Sequence, residues 1–209
     1  MPRGRVHNCG MLLDADECQL VLVDYQERLM PSILEGDSVL RNAVRLGQLA
    51  ALFKVPAWAT EENPDGLGPA VPQVRSLCSR TLSKMHFSAV ADGLVDMLRP
   101  AARQAGNARS LPKHLQKAVP QSQERPAVVI AGCEAHVCLM QTALDLLDEE
   151  FDVFVVSDAC GSRTERSRDA AFDRLAAAGC ELVSTEMVAF EWLRTAEHPA
   201  FREVLALIR

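Results

Sequence analysis

Short, uniformly apolar runs alternate with amphipathic stretches along this chain. That alternation constrains the architecture more than any other feature. Gln19-Leu-Val-Leu-Val-Asp24 is apolar at consecutive positions, whereas a strand with one wet face alternates; such a run suits a strand covered on both faces. Residues 126–132 repeat the pattern most clearly, and further strands are predicted at 55–60, 80–84, 152–157 and 181–184. Helical periodicity falls between them. Helices are predicted over 37–53 with Asp37 or Ser38 as N-cap, over 88–99, over 137–148, and over 164–178 with Gly179 as a left-handed stop. A last helix, opened by Pro199, carries Phe201, Val204, Leu205 and Ile208 at i, i+3, i+4 and i+7. Asn63-Pro-Asp-Gly-Leu-Gly-Pro69 reads as a loop. Strands alternating with helices imply an α/β fold: a three-layer αβα, Rossmann-like arrangement around a six-stranded parallel sheet with right-handed crossovers. No repeat or low-complexity tract divides the chain, so residues 1–209 read as a single domain, with 100–126 an aperiodic surface excursion.

Charge and cysteine usage narrow the function classes. The 22 basic and 28 acidic side chains leave a net charge of −6, a poor basis for holding nucleic acid, which calls for clustered Lys and Arg. No apolar stretch approaches the roughly 20 residues that cross a bilayer, and the first residues lack the apolar core of a secretory signal. The seven cysteines, at 9, 18, 78, 133, 138, 160 and 180, are odd in number, scattered, and never spaced C-x-x-C. Neither a zinc ribbon nor a disulfide scaffold is signalled, and free thiols point to a reducing compartment, the cytoplasm.

In a sheet of this kind ligands bind where strand ends turn into loops. The first predicted strand ends in Asp24, the third in Lys84, and the fourth in Gly132-Cys-Glu-Ala-His-Val-Cys138 as a helix begins. A carboxylate, an ammonium and a thiol would thus share one rim, a set of groups that nucleophilic catalysis can use. A thiol in the first turn of a helix feels the positive end of the backbone dipole. A lysine about 4 Å away would add roughly 4 kcal/mol at an effective dielectric near 20, enough to lower the thiol pKa by up to about 3. Plainer readings stand beside these: Cys138 as a packed core cysteine, Asp24 as a turn cap, Lys84 as a solvated surface lysine.

Val23-Asp24-Tyr25-Gln26, Lys84-Met-His-Phe87-Ser88 and Gly132-Cys-Glu-Ala-His-Val-Cys138-Leu-Met-Gln-Thr resemble the isochorismatase-like cysteine hydrolase superfamily. Thr60-Glu61, Pro64-Asp-Gly-Leu-Gly68, Leu144-Asp-Leu-Leu147 and Val156-Ser-Asp158-Ala-Cys-Gly-Ser162-Arg163 bring the likeness nearest to the isochorismatase domain-containing protein 2 group. It covers about residues 18–195, with 100–126 an insertion. The resemblance implies a catalytic triad: Asp24 as general base, Cys138 as nucleophile, and Lys84 holding both and stabilising negative charge. It further implies a cis peptide between Cys133 and Glu134, with the Glu134 and Cys138 backbone N–H groups as an oxyanion hole. Tyr25, Trp58, Glu61, Phe87 and His136 are the candidates for lining the substrate pocket.

Departures from the family matter equally. The nicotinamidase branch holds a divalent metal through an Asp-x-His pair after the second strand; here Thr60-Glu61-Glu62-Asn63 stands there with no histidine. Glu61 and Glu62 alone could attract a hard cation weakly but read better as a solvated acidic pair, and neither metal nor other cofactor is expected. Asn63 stands where close relatives tend to carry an aromatic residue. Isochorismatases use the aspartate as an acid on a vinyl ether and do not need the cysteine, so a cysteine at 138 favours hydrolysis of a small amide or related substrate through a thioester-like intermediate. Two other readings stay open: a binding or scaffold protein with little turnover, and a redox-sensing thiol, prompted by Cys133 beside Cys138. Homo-oligomers are expected, as in relatives, with a small-molecule substrate and no nucleic-acid or membrane partner.

Overall fold

The computed structural model describes residues 12–99 and 125–209; the excursion expected over 100–126 lies outside them except for Arg125 and Pro126. Strands β1 (Cys18–Val23), β2 (Ala57–Glu62), β3 (Arg80–Lys84), β4 (Ala127–Gly132), β5 (Asp152–Val156) and β6 (Glu181–Val183) form one sheet in the order β3-β2-β1-β4-β5-β6. Every neighbouring pair is parallel. Eight α-helices are described: α1 (Gly36–Phe53), α2 (Pro64–Leu67), α3 (Pro72–Arg75), α4 (Leu94–Leu98), α5 (Met140–Asp148), α6 (Glu165–Ala178), α7 (Thr185–Leu193) and α8 (Phe201–Ile208). α1 packs with α7 and α8 in one layer, and α5 packs with α6 in the other. All positions of β1 and β4 are buried, which is why their sequences are continuously apolar. β3 lies at the sheet edge and is open to solvent until its last residue, Lys84.

Strand order reverses between β1 and β4, so the crevice of this fold opens above the carboxyl ends of that pair. Val23 and Gly132 form their last register pair. The two backbones approach so closely there that a Cβ on residue 132 would lie 2.5 Å from Val23; only glycine fits.

Helix ends depart from the sequence expectations for local reasons. α1 begins at Gly36 after Glu35, with no side-chain cap. Asp37 sits in its first turn, where negative charge meets the positive end of the dipole. The helix expected over 88–99 is a 3₁₀ turn at Val90–Asp92 followed by α4, split at Gly93 with φ 97°. Inside the expected loop after β2, Pro64 opens the short α2, and the Asn63 side chain accepts from Gly66 N. α6 closes on left-handed Gly179, as expected.

Candidate active site

Asp24 follows β1 in the left-handed conformation, φ 55°, and is fully buried. Thr60 Oγ1 donates to its Oδ1 at 2.6 Å. Its Oδ2 lies 2.8 Å from Lys84 Nζ. Lys84 ends β3 directly opposite Glu62, which ends β2. The ammonium donates to Glu62 Oε2 at 2.7 Å and to the Phe87 and His86 carbonyls at 3.1 and 3.3 Å. Four oxygens, Asp24 Oδ2 among them, thus share the three N–H groups of this ammonium. The Cys138 sulfur, an Asp24 oxygen and a Glu62 oxygen all lie within 4.8 Å of one another. Three strand ends and one helix start thus bring Asp24, Lys84 and Cys138 together, with Glu62 as a fourth member.

Glu62 was read from sequence as half of a solvated acidic pair; the structure corrects this. Glu62 is buried against Lys84, and Glu61 is buried with its Oε1 accepting from Ala70 N at 2.8 Å. Successive strand residues face opposite sides, so Glu62 joins Thr60 toward the cluster while Glu61 pins the following loop. Gln26 braces the arrangement: its Nε2 donates to the Glu62 and Gly68 carbonyls at 2.9 and 2.6 Å, and its Oε1 accepts from Glu62 N at 2.9 Å. Strand alternation together with the Glu62–Lys84 register was the signal that could have placed Thr60 and Glu62 here. Gln26, set by a loop, left none.

The segment carrying the thiol differs from a plain α-helix start. The Cys133–Glu134 peptide is cis, and Ala135–Leu139 forms a wide π turn before α5. Ala135 N donates to Gly161 O at 2.7 Å, tying this turn to the loop after β5. His136 Nδ1 pairs with Ser162 Oγ at 3.0 Å, and Glu134 Oε1 accepts from Arg163 Nε at 2.8 Å.

The expected lowering of the Cys138 pKa is overturned. Burial, and then the charge of Asp24, push the thiol well above its ordinary value; Lys84 offsets only part of this. For Lys84, burial alone favours the neutral amine, but Asp24 and Glu62 outweigh it and raise the pKa. Cys133 is fully buried and its thiol is pushed up, chiefly by desolvation, the opposite of a reactive sensor.

Besides Glu61, two more of the expected pocket residues, Tyr25 and Trp58, are placed elsewhere. Tyr25 is fully buried and its hydroxyl donates to Ala159 O at 2.5 Å, which makes it a strut between β1 and the loop after β5. Trp58 lies four residues before the end of β2, about 13 Å from the rim, with Nε1 donating to Gln19 Oε1 at 3.3 Å. Its β-rich neighbourhood gave no hint of which strand end it lay near. Phe87 exposes its ring while its carbonyl holds Lys84, and His136 is half-buried. Asp24, Glu62 and Cys138 offer donor atoms that a divalent ion could use. The ammonium of Lys84 already lies 2.7–2.8 Å from both carboxylates, so an ion would have to displace it.

An open parallel sheet with a thiol, a carboxylate and a lysine at its switch point defines a class of α/β hydrolase-type folds. The isochorismatase domain model matches residues 18–187, and the chain belongs to that family. Isochorismatase domain-containing protein 2A of Mus musculus is 34% identical over 190 residues, covering 91% of this chain and 82% of the relative. Among solved structures, YcaC from Pseudomonas aeruginosa, determined with hexane-2,5-diol and covalent acrylamide, superposes with a TM-score of 0.79 at 25% identity, covering 95% of this chain and 92% of the other. The YcaC gene product of Escherichia coli, described as an octameric hydrolase of unknown specificity, gives 0.75 at 26% identity, covering 94% and 95%. No described helix is long and apolar enough to cross a membrane.

Proposed function

We propose that this protein is a metal-independent thiol hydrolase acting on a small amide or related substrate. One observation carries the reading: a carboxylate oxygen of the buried Asp24 lies within 4.8 Å of the Cys138 sulfur. A carboxylate that close to a thiol can take its proton. Asp24 takes that proton as Cys138 attacks the carbonyl carbon. The C–S bond forms and the carbonyl electrons move onto oxygen, which the Glu134 and Cys138 backbone N–H groups receive. The C–N bond then breaks, and the proton held by Asp24 leaves with the amine. Water, deprotonated by Asp24, attacks the thioester, and the thiol regains the proton as the acid departs. Lys84 holds Asp24 in place throughout. The covalent acrylamide of the P. aeruginosa fold-mate supports a reactive nucleophile in this architecture.

The described residues share one sheet and one core, which supports the single-domain reading. Free thiols throughout them suit the cytoplasm. The test is an acid-quenched reaction with a panel of small amides, followed by peptide mass spectrometry. An acyl increment on the Cys138 peptide, and no product from Cys138→Ala, is expected. Product formation that survives Cys138→Ala would overturn the reading, and absence of turnover across a broad panel would favour a binding protein.

A further inference from the structure

The proposed triad needs one carboxylate, yet the cluster has two. Asp24 and Lys84 side chains are wholly buried, whereas that of Glu62 is 10% exposed, so Glu62 is the carboxylate nearest the opening. Its Oε2 is held by Lys84, and its backbone is clamped on both sides by Gln26. Resting on the thiol-hydrolase reading above, we propose that Glu62 makes the site selective for substrates carrying positive charge, an amide or amidine next to an ammonium or guanidinium group, and unfavourable to carboxylate substrates.

Charge counting over every element facing the sulfur supports this. β1 brings Asp24, β2 brings Glu62 and the uncharged Thr60, and β3 brings Lys84: two carboxylates against one ammonium beside the sulfur. Glu134 on the nucleophile turn is cancelled by Arg163. His86, outside the cluster, is paired with Asp92, and the Arg28 guanidinium is solvent-exposed, held on the Asp65 and Gly66 carbonyls of α2 and screened by water. Glu61, behind Glu62 on the opposite face, adds a further negative charge. Because these side chains are buried, an excess of carboxylate attracts cations and repels anions more strongly than it would in bulk solvent.

The experiment uses three methanethiosulfonates of similar size: ethyltrimethylammonium, neutral ethyl, and ethylsulfonate. In each, the Cys138 thiolate attacks the thiosulfonate sulfur to give a mixed disulfide and methanesulfinate. Rates at Cys138, read by peptide mass spectrometry, are normalised to a small free thiol. The cation-to-anion ratio cancels any change in thiolate fraction. A ratio of about tenfold or more in the native protein, falling about tenfold in Glu62→Gln, is expected; glutamine keeps an acceptor for Lys84. If the variant does not fold, the native ratio alone decides. Labelling of Cys138 with a ratio near one overturns the selectivity and spares the hydrolase reading. A Cys138 inert to all three reagents overturns both.

Discussion

Lys84 Nζ sits 2.8 Å from Asp24 Oδ2 and also donates to Glu62 and to the carbonyls of His86 and Phe87. One ammonium thus ties both buried carboxylates to the segment that follows β3. Lys84→Met should leave two buried carboxylates without a counter-charge and lower unfolding free energy by about 3–5 kcal/mol. Urea denaturation checks this; an unchanged midpoint would mean that the carboxylates are not dependent on the ammonium.

Alkaline pH should weaken the fold. Burial holds the Cys18, Cys160 and Cys180 thiols up at about 12. In the unfolded chain these thiols ionise from about 8.5. Above that pH the unfolded state binds fewer protons than the folded one, so stability is full below 8.5 and is lost as pH rises toward 12. The slope approaches about 1.4 kcal/mol per pH unit for each thiol. Urea midpoints under reducing conditions should fall between pH 8 and pH 9.5, and a flat profile would contradict the burial of these groups.

Tyr25→Phe separates a strut from a pocket residue. Losing the hydroxyl leaves the Ala159 carbonyl without this donor in the core, at a cost of about 1–3 kcal/mol, or roughly 2–12 °C in melting temperature for a chain of this size. The KM for any substrate found should not move. A KM change without a melting shift would return Tyr25 to the substrate.

Self-association is expected because Met187 and Phe190 of α7 stand exposed and the E. coli fold-mate is an octamer. Light scattering should give a multiple of the 22.9 kDa chain mass; a monomer mass would refute it.

Much of this architecture was legible before any coordinate. Short apolar runs within 19–24 and 126–132 suit strands buried on two faces, and their alternation with helical patterns points to parallel crossovers. The rim residues Asp24, Lys84 and Cys138 followed from strand ends. What resisted was the direction of pairwise electrostatics and the facing of neighbouring residues. Lys84 next to a thiol suggests a thiolate until Asp24, Glu62 and burial are counted with it. Glu61 and Glu62 look alike in sequence, yet strand alternation sends one to a loop amide and the other to the ammonium. Tyr25 adjoins the site in sequence but is turned into the core, where its hydroxyl finds a carbonyl.

The role of Asp24 can be decided by one rate. Its negative charge raises the Cys138 pKa, so an Asp24 that only repels the thiolate predicts faster alkylation when the charge is removed. An Asp24 that takes the thiol proton predicts the reverse. Iodoacetamide labelling of Cys138 at pH 7.5, read against Cys180 in the same sample, should be faster than at Cys180 and should slow in Asp24→Asn by about 100-fold or more, the scale of a lost general base. Labelling of Cys138 that keeps pace with Cys180 and quickens in Asp24→Asn would contradict the account.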